Sequence, residues 1–154
     1  MSLDDDMALL ARQPLLSLME RDALRLLAFA AESRTLRAGD VLFRAGEASD
    51  GAVLVVSGAL ALATADDGRP ANEIVGPGAL VGELALFTSV PRQATAIARE
   101  PTQVMRLPRS VMRRVRGESP ASAEAIAAAI GDRLRGFLGE LSAVQKALSA
   151  LDEG

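Results

Sequence analysis

A chain of 154 residues, 49% of them hydrophobic, suits one globular domain able to bury roughly two thirds of its unfolded surface. It has no cysteine and no histidine, which excludes disulfides, Cys/His zinc sites, histidine-ligated haem, iron–sulfur clusters and His- or Cys-based catalysis. The net charge is −3, the positive charge is almost all arginine, and Lys146 is the only lysine, so this acidic chain without a basic tail is not expected to bind DNA directly.

The start, Met1-Ser2-Leu3-Asp4-Asp5-Asp6, is acidic and lacks the positive n-region of a secretory signal. No apolar run reaches the about 20 residues of a membrane-spanning helix. A cytoplasmic location without membrane contact is therefore expected. Residues 7–31 carry helical spacing. Pro14 separates Leu9 and Leu10 from Leu15 and Leu16 and ends a first helix. A second helix follows over 20–31, with Leu24, Leu27 and Ala28 on one face.

From residue 33 to 108 short apolar runs alternate with glycine-containing turns, the pattern of an all-β barrel or sandwich. The runs are 41–43, 52–56, 59–63, 73–75, 94–98 and 103–107. Turns are expected at 38–40, 45–50 and Asp66-Asp67-Gly68, the last a hairpin signal. Apart from Gly82, the glycines are read as corner residues. Pro108 ends the last strand. A short helix over 109–116 turns Val111, Met112 and Val115 inward, and Arg106, Arg109, Arg113, Arg114 and Arg116 form a basic cluster read as a solvated face.

Ser119 is the expected cap of a long helix with Pro120 at its first position. Its apolar residues follow a four-three rhythm: Ala123, Ala127, Ile130, Leu134, Phe137, Leu141, Val144, Leu148 and Leu151. A stripe this long and narrow predicts a parallel homodimer through residues 123–151. Gly131, Gly136 and Gly139 lie off the stripe and each weakens the helix by about 1 kcal/mol against alanine, so packing must hold it.

The stretch 81–95 carries the chemistry. Gly82 permits close backbone approach, and Glu83 to Leu86 can form one helical turn whose first N–H groups suit an anion. Arg92, behind Pro91, offers a planar fork for two phosphate oxygens. Glu83, an acceptor only when ionised, suits hydroxyl or amine donors. Together they fit a ligand with an anionic end and a hydroxylated end, such as a sugar phosphate or nucleotide.

The arrangement G-E-L-A-L…P-R-x-A-T also resembles the phosphate-binding cassette of cyclic-nucleotide-binding domains, the sensor domains of the catabolite activator protein, protein kinase A regulatory subunits and nucleotide-gated channels. The resemblance covers roughly residues 15–150. It implies a mainly β fold with flanking helices: a single domain over 1–154, with N-terminal helices (7–31), a jelly-roll β-roll (33–108) and C-terminal helices (109–151) ending in a dimerisation helix. It further implies that Arg92 clamps the cyclic phosphate, that Glu83 bonds the ribose 2′-hydroxyl, and that the N–H groups of Leu84 and Ala85 point at the phosphate. Gly82, Gln93 and Ala94 complete the ligand-binding set. The base needs an apolar cover, and in the activator family it comes from midway along the long helix. Here that stretch is Phe137-Leu138, although Phe137 also lies on the dimer stripe. Val81 and Leu60 are the expected pocket walls.

Two departures from the family pattern matter. Gln93 stands where relatives often have a small residue or a hydroxyl able to touch the phosphate or a guanine amino group, so cAMP is preferred over cGMP as the expected ligand. The sequence also ends after the long helix, where the family's transcription factors continue into a helix-turn-helix. The expected role is thus a cAMP-type sensor, either the sensor part of a Crp-like transcription regulator or a stand-alone subunit. The alternative is a dimerising module of the same fold that has lost nucleotide binding. No catalytic residue, metal ligand or cofactor is assigned, since no nucleophile accompanies the carboxylates.

Overall fold

The computed structural model describes residues 2–64 and 72–152, with the side chains at 137–145, 148 and 151–152 outside that set. Helices α1 (Leu3–Arg12) and α2 (Arg21–Ala30) lead into strands β1 (Glu32–Leu36), β2 (Val41–Phe43), β3 (Gly51–Ser57), β4 (Leu60–Ala63), β5 (Glu73–Val75) and β6 (Leu80–Val81). A 3₁₀ turn (Glu83–Leu86) follows, then β7 (Thr95–Ala98), β8 (Thr102–Pro108), α3 (Arg109–Glu118) and α4 (Pro120–Asp152). The strands form two four-stranded antiparallel sheets, ordered β1-β8-β3-β6 and β2-β7-β4-β5, the expected jelly roll with flanking helices.

Strand β3 shows why the roll and the helices form one body. Side chains alternate across a strand, yet Ala52 to Val55 are all buried, so both faces of β3 meet apolar partners. Ala52 and Leu54 pack with Leu107 of β8 beneath the helices. Val53 and Val55 pack between the sheets with Leu36, Phe43, Leu60 and Val104. Gly51 is no corner, contrary to the sequence reading: it is a strand residue, and a Cβ there would collide with the Leu107 carbonyl oxygen.

Other differences have local causes. Helix α1 starts at Leu3, ahead of the expected residue 7, because the Ser2 hydroxyl accepts the Asp5 N–H (3.1 Å) while the Asp5 carboxylate accepts the Ser2 N–H (3.3 Å). Strand β1 was not among the expected runs because four of its five residues are exposed; pairing with β8, from Glu32↔Arg106 to Leu36↔Thr102, holds it. The Asp66-Asp67-Gly68 turn lies outside the described residues.

The long helix divides its apolar stripe. Ala123 and Ile130 are buried in the chain's own core beside Ile126, which is off the stripe and fully buried. Ala127 and Leu134 are exposed. The first two turns therefore pack inward at i, i+3 and i+7, and a dimer seam cannot run unbroken from 123. Ser119 immediately precedes α4, as expected, and its hydroxyl is engaged with other side chains. Its hydroxyl bonds those of Ser122 (2.8 Å) and the Glu20 carboxylate (3.3 Å), while the Glu20 N–H donates to the Ser122 hydroxyl (2.9 Å). This knot, buried at its two hydroxyls, ties the N-terminal helices to α4. The basic cluster is not simply a solvated face either, since Arg106 pairs with Asp50 (3.1 Å) and Arg109 donates to two backbone carbonyls.

Candidate functional site

Strand β6 sets the site beside the core by pairing Val81 with Val53 and Leu80 with Leu54. The next residue, Gly82, turns the chain with φ +76°, the left-handed region that disfavours any side chain. The turn Glu83–Leu86 follows, anchored by the fully buried Leu86.

The segment carrying Arg92 is fixed by the turn 45–50. The Arg92 N–H donates to the Glu47 carbonyl (2.8 Å), and the Gly46 N–H donates to the Arg92 carbonyl (2.8 Å). The buried Ser49 hydroxyl donates to the Val90 carbonyl (2.5 Å). From α3, Arg109 Nη1 donates to the carbonyls of Ser49 (3.0 Å) and Ala85 (3.2 Å), clamping both halves of the site. Backbone carbonyls and one arginine thus position another arginine.

The Arg92 side chain is only 8% exposed. Its guanidinium lies 4.3 Å from the Phe43 ring centre, a cation–π contact, and its Nη2 is 3.8 Å from Asp50. Its Nη1 is buried and has no hydrogen-bond partner among the described residues. Burial depresses the Arg92 pKa below its ordinary value; Asp50 and Glu47 oppose this and Arg106 adds to it. A cation so placed, with a donor lacking a partner among the described residues, has the chemistry to take an anion.

The adjoining cleft of about 390 Å³ is lined by Val81, Gly82, Glu83, Leu84, Ala85, Arg92, Gln93 and Ala94, so the structure gathers every expected residue of the 81–95 stretch around one hollow. Leu60 is not a wall: it is fully buried between the sheets, and Leu62, two residues on along β4, lines the cleft instead. The side chains of Phe137 and Leu138 lie outside the described set. From the same helix Leu134 lines the cleft, and Phe43 lines it from β2. The Ala85 N–H donates to the Gly82 carbonyl (3.0 Å), which engages one of the two amides expected at the phosphate. Glu83 carries its carboxylate at the cleft and is paired with Arg133 of α4 (2.8 Å).

Sequence reasoning missed Phe43, Asp50 as the partner of Arg92, Leu134 as a wall, and Arg133. Phe43 showed in the sequence only as the end of the apolar run 41–43. Arg133 gave no signal, being one more polar residue on a helix.

The comparisons with known proteins agree with this geometry. The family model for the cyclic nucleotide-binding domain matches residues 33–119. The chain is 42% identical over 66 residues to a cyclic nucleotide-gated potassium channel of Mesorhizobium japonicum, a match covering 43% of this chain but only 17% of the channel. It resembles the structure of a cyclic nucleotide-binding-like protein from Brucella abortus (42% identity, TM-score 0.67, covering 75% of this chain and 100% of that one). It also resembles the N-terminal domain of a transcriptional regulator from Streptomyces coelicolor (31% identity, TM-score 0.76, covering 86% of this chain and 94% of that one). With its matched model spanning the roll, the cassette turn and α3, the chain belongs to the cyclic nucleotide-binding domain family.

Proposed function

We propose that this chain is a sensor for a 3′,5′-cyclic nucleotide, with cAMP preferred over cGMP, acting in the cytoplasm. The observation that carries the reading is the buried Arg92 guanidinium, whose Nη1 is without a partner among the described residues and whose side chain lines a 390 Å³ cleft. Arg92 would clamp the cyclic phosphate with help from the turn at Glu83. Glu83 would accept a hydrogen bond from the ribose 2′-hydroxyl, and Phe43, Leu62 and Leu134 would flank the apolar part of the ligand. Catalysis forms no part of this role.

The signal would leave through the C-terminal helices. Arg109 links the carbonyl of Ala85 to α3, and Arg133 links Glu83 to α4, so both helices touch the turn that ligand would occupy. Homodimerisation belongs to the same reading, restricted to the helix beyond the turns that pack inward. Leu134, exposed and beyond Ile130, favours it. The output would be transcriptional in a larger regulator or carried by a separate partner.

Thermal unfolding with and without nucleotide tests the reading against a module of the same fold that has lost its ligand. A ligand at about 100 times its Kd adds about 2.7 kcal/mol of stability. An unmoved transition at millimolar cAMP and cGMP would favour the module.

A further inference from the structure

A second cleft, of about 570 Å³, shares no lining residue with the nucleotide cleft. It is lined by Leu86 and Phe87 from the end of the cassette turn and by Arg109, Arg113 and Arg116 from α3. Arginines at i, i+4 and i+7 share one face of a helix and span about 10 Å at 1.5 Å per residue. Arg109 is fixed by the carbonyls of Ser49 and Ala85. Arg113 and Arg116 are exposed and have no hydrogen bond or ion pair among the described residues, whereas Arg114, on another face, pairs with Glu118 (3.9 Å). Asp50, the acid in the lining, is already engaged by Arg106 (3.1 Å) and Arg92 (3.8 Å). The cleft therefore carries positive charge that its own lining does not balance.

We infer that this cleft docks an acidic segment of a partner protein, its carboxylates meeting Arg109, Arg113 and Arg116 and one apolar side chain resting on Phe87. The charge calls for an anion, and the length of the arginine row selects its kind. One phosphate is too small to meet guanidiniums about 10 Å apart, while carboxylates on successive turns of a helix repeat at the matching distance. Guanidinium and carboxylate also pair in a bidentate fork, which gives such a segment a fixed register. The half-buried Phe87 ring supplies the apolar contact. The chain's net charge of −3 opposes a long polyanion such as nucleic acid, but not a segment of a few acids. The inference goes beyond the sensor reading and does not depend on it: it names the chemistry of a protein that would contact α3.

Fluorescence anisotropy on the full chain tests this with a labelled synthetic peptide of about 12 residues, three helical turns, carrying Glu at i, i+4 and i+7 and one Leu beside them. The probes for comparison are a peptide of the same composition with its glutamates adjacent, and a single-stranded DNA oligomer. The wild type should bind the spaced peptide saturably below about 1 mM, more tightly than either comparison probe, and more weakly as salt rises. Arg113→Glu and Arg114→Glu change the net charge alike and differ in the face they alter. Arg113→Glu should weaken binding about three- to tenfold, as an exposed pair becomes a repulsion, and Arg114→Glu by less than about twofold. Arg113→Gln should fall between them. All three substitutions are at exposed positions, so the variants should unfold at the wild-type temperature, which the same samples report. No saturation by the wild type, equal losses in Arg113→Glu and Arg114→Glu, or equal or tighter binding of either comparison probe overturns the inference. Every titration omits nucleotide, so failure of the sensor reading and failure of this docking surface are separate results.

Discussion

A side chain at position 82 would begin 2.7 Å from Arg92 Nη1, so the guanidinium occupies the space that the missing Cβ leaves. The glycine is required twice over, once for φ +76° and once for the arginine. Gly82→Ala should cost about 1–2 kcal/mol from the left-handed backbone alone, or roughly 2–8 °C in Tm. It should weaken nucleotide binding at least tenfold by displacing Arg92. Calorimetry and thermal unfolding of one variant check both effects.

The position of Arg92 costs the fold stability. Burial pushes its pKa down, so the folded state holds that proton less tightly than the unfolded chain does. Its positive charge therefore disfavours folding at neutral pH, offset in part by Asp50 and by the Phe43 ring. Arg92→Met should leave unfolding free energy unchanged or raise it by about 1 kcal/mol, as expected when a buried charge gives way to a similar apolar volume. Denaturant unfolding without nucleotide measures this.

Much of this was legible in the sequence, and the reasons are physical. Gly82, Glu83 and Arg92 are local: one turn and one short segment, with residue types few other roles require. The runs 41–43 and 73–75 were found at their observed bounds because β-branched or apolar residues stand there against flanking turn residues, Gly39-Asp40 before Val41 and Gly76 after Val75. What hid was set by distant partners. Strand β1 is polar and exists through its pairing with β8. The apolar stripe on α4 gave the period, but the decision that Ala123 and Ile130 face the chain's own core was made by α1, α2 and α3. Phe43 and Arg133 reach the site across the fold, and no spacing announces them.

The knot of Ser119, Ser122 and Glu20 should be a stability element. Ser122 is 1% exposed and accepts the Glu20 N–H. Ser122→Ala leaves that N–H without its acceptor and should cost about 1–3 kcal/mol, with nucleotide affinity unchanged. Chemical denaturation together with one binding isotherm reads both.

The divided stripe on α4 predicts unequal costs for neighbouring substitutions. Ile126 is fully buried and off the stripe, while Leu134 is on it and 47% exposed. Ile126→Ala should destabilise by about 2–5 kcal/mol. Leu134→Ala should stay within about 1 kcal/mol and reduce nucleotide affinity through the lost cleft wall. Equal costs in thermal unfolding would contradict the packing described for the first turns.

An anion held by Arg92 beside the turn at Gly82 underlies the proposed sensor role. Isothermal titration of cAMP and cGMP into the wild type and Arg92→Ala addresses it most directly. The wild type should bind one nucleotide per chain saturably, cAMP more tightly, and the variant should lose at least a hundredfold in affinity. Millimolar nucleotide giving no heat with the wild type, or equal affinity in Arg92→Ala, would contradict it.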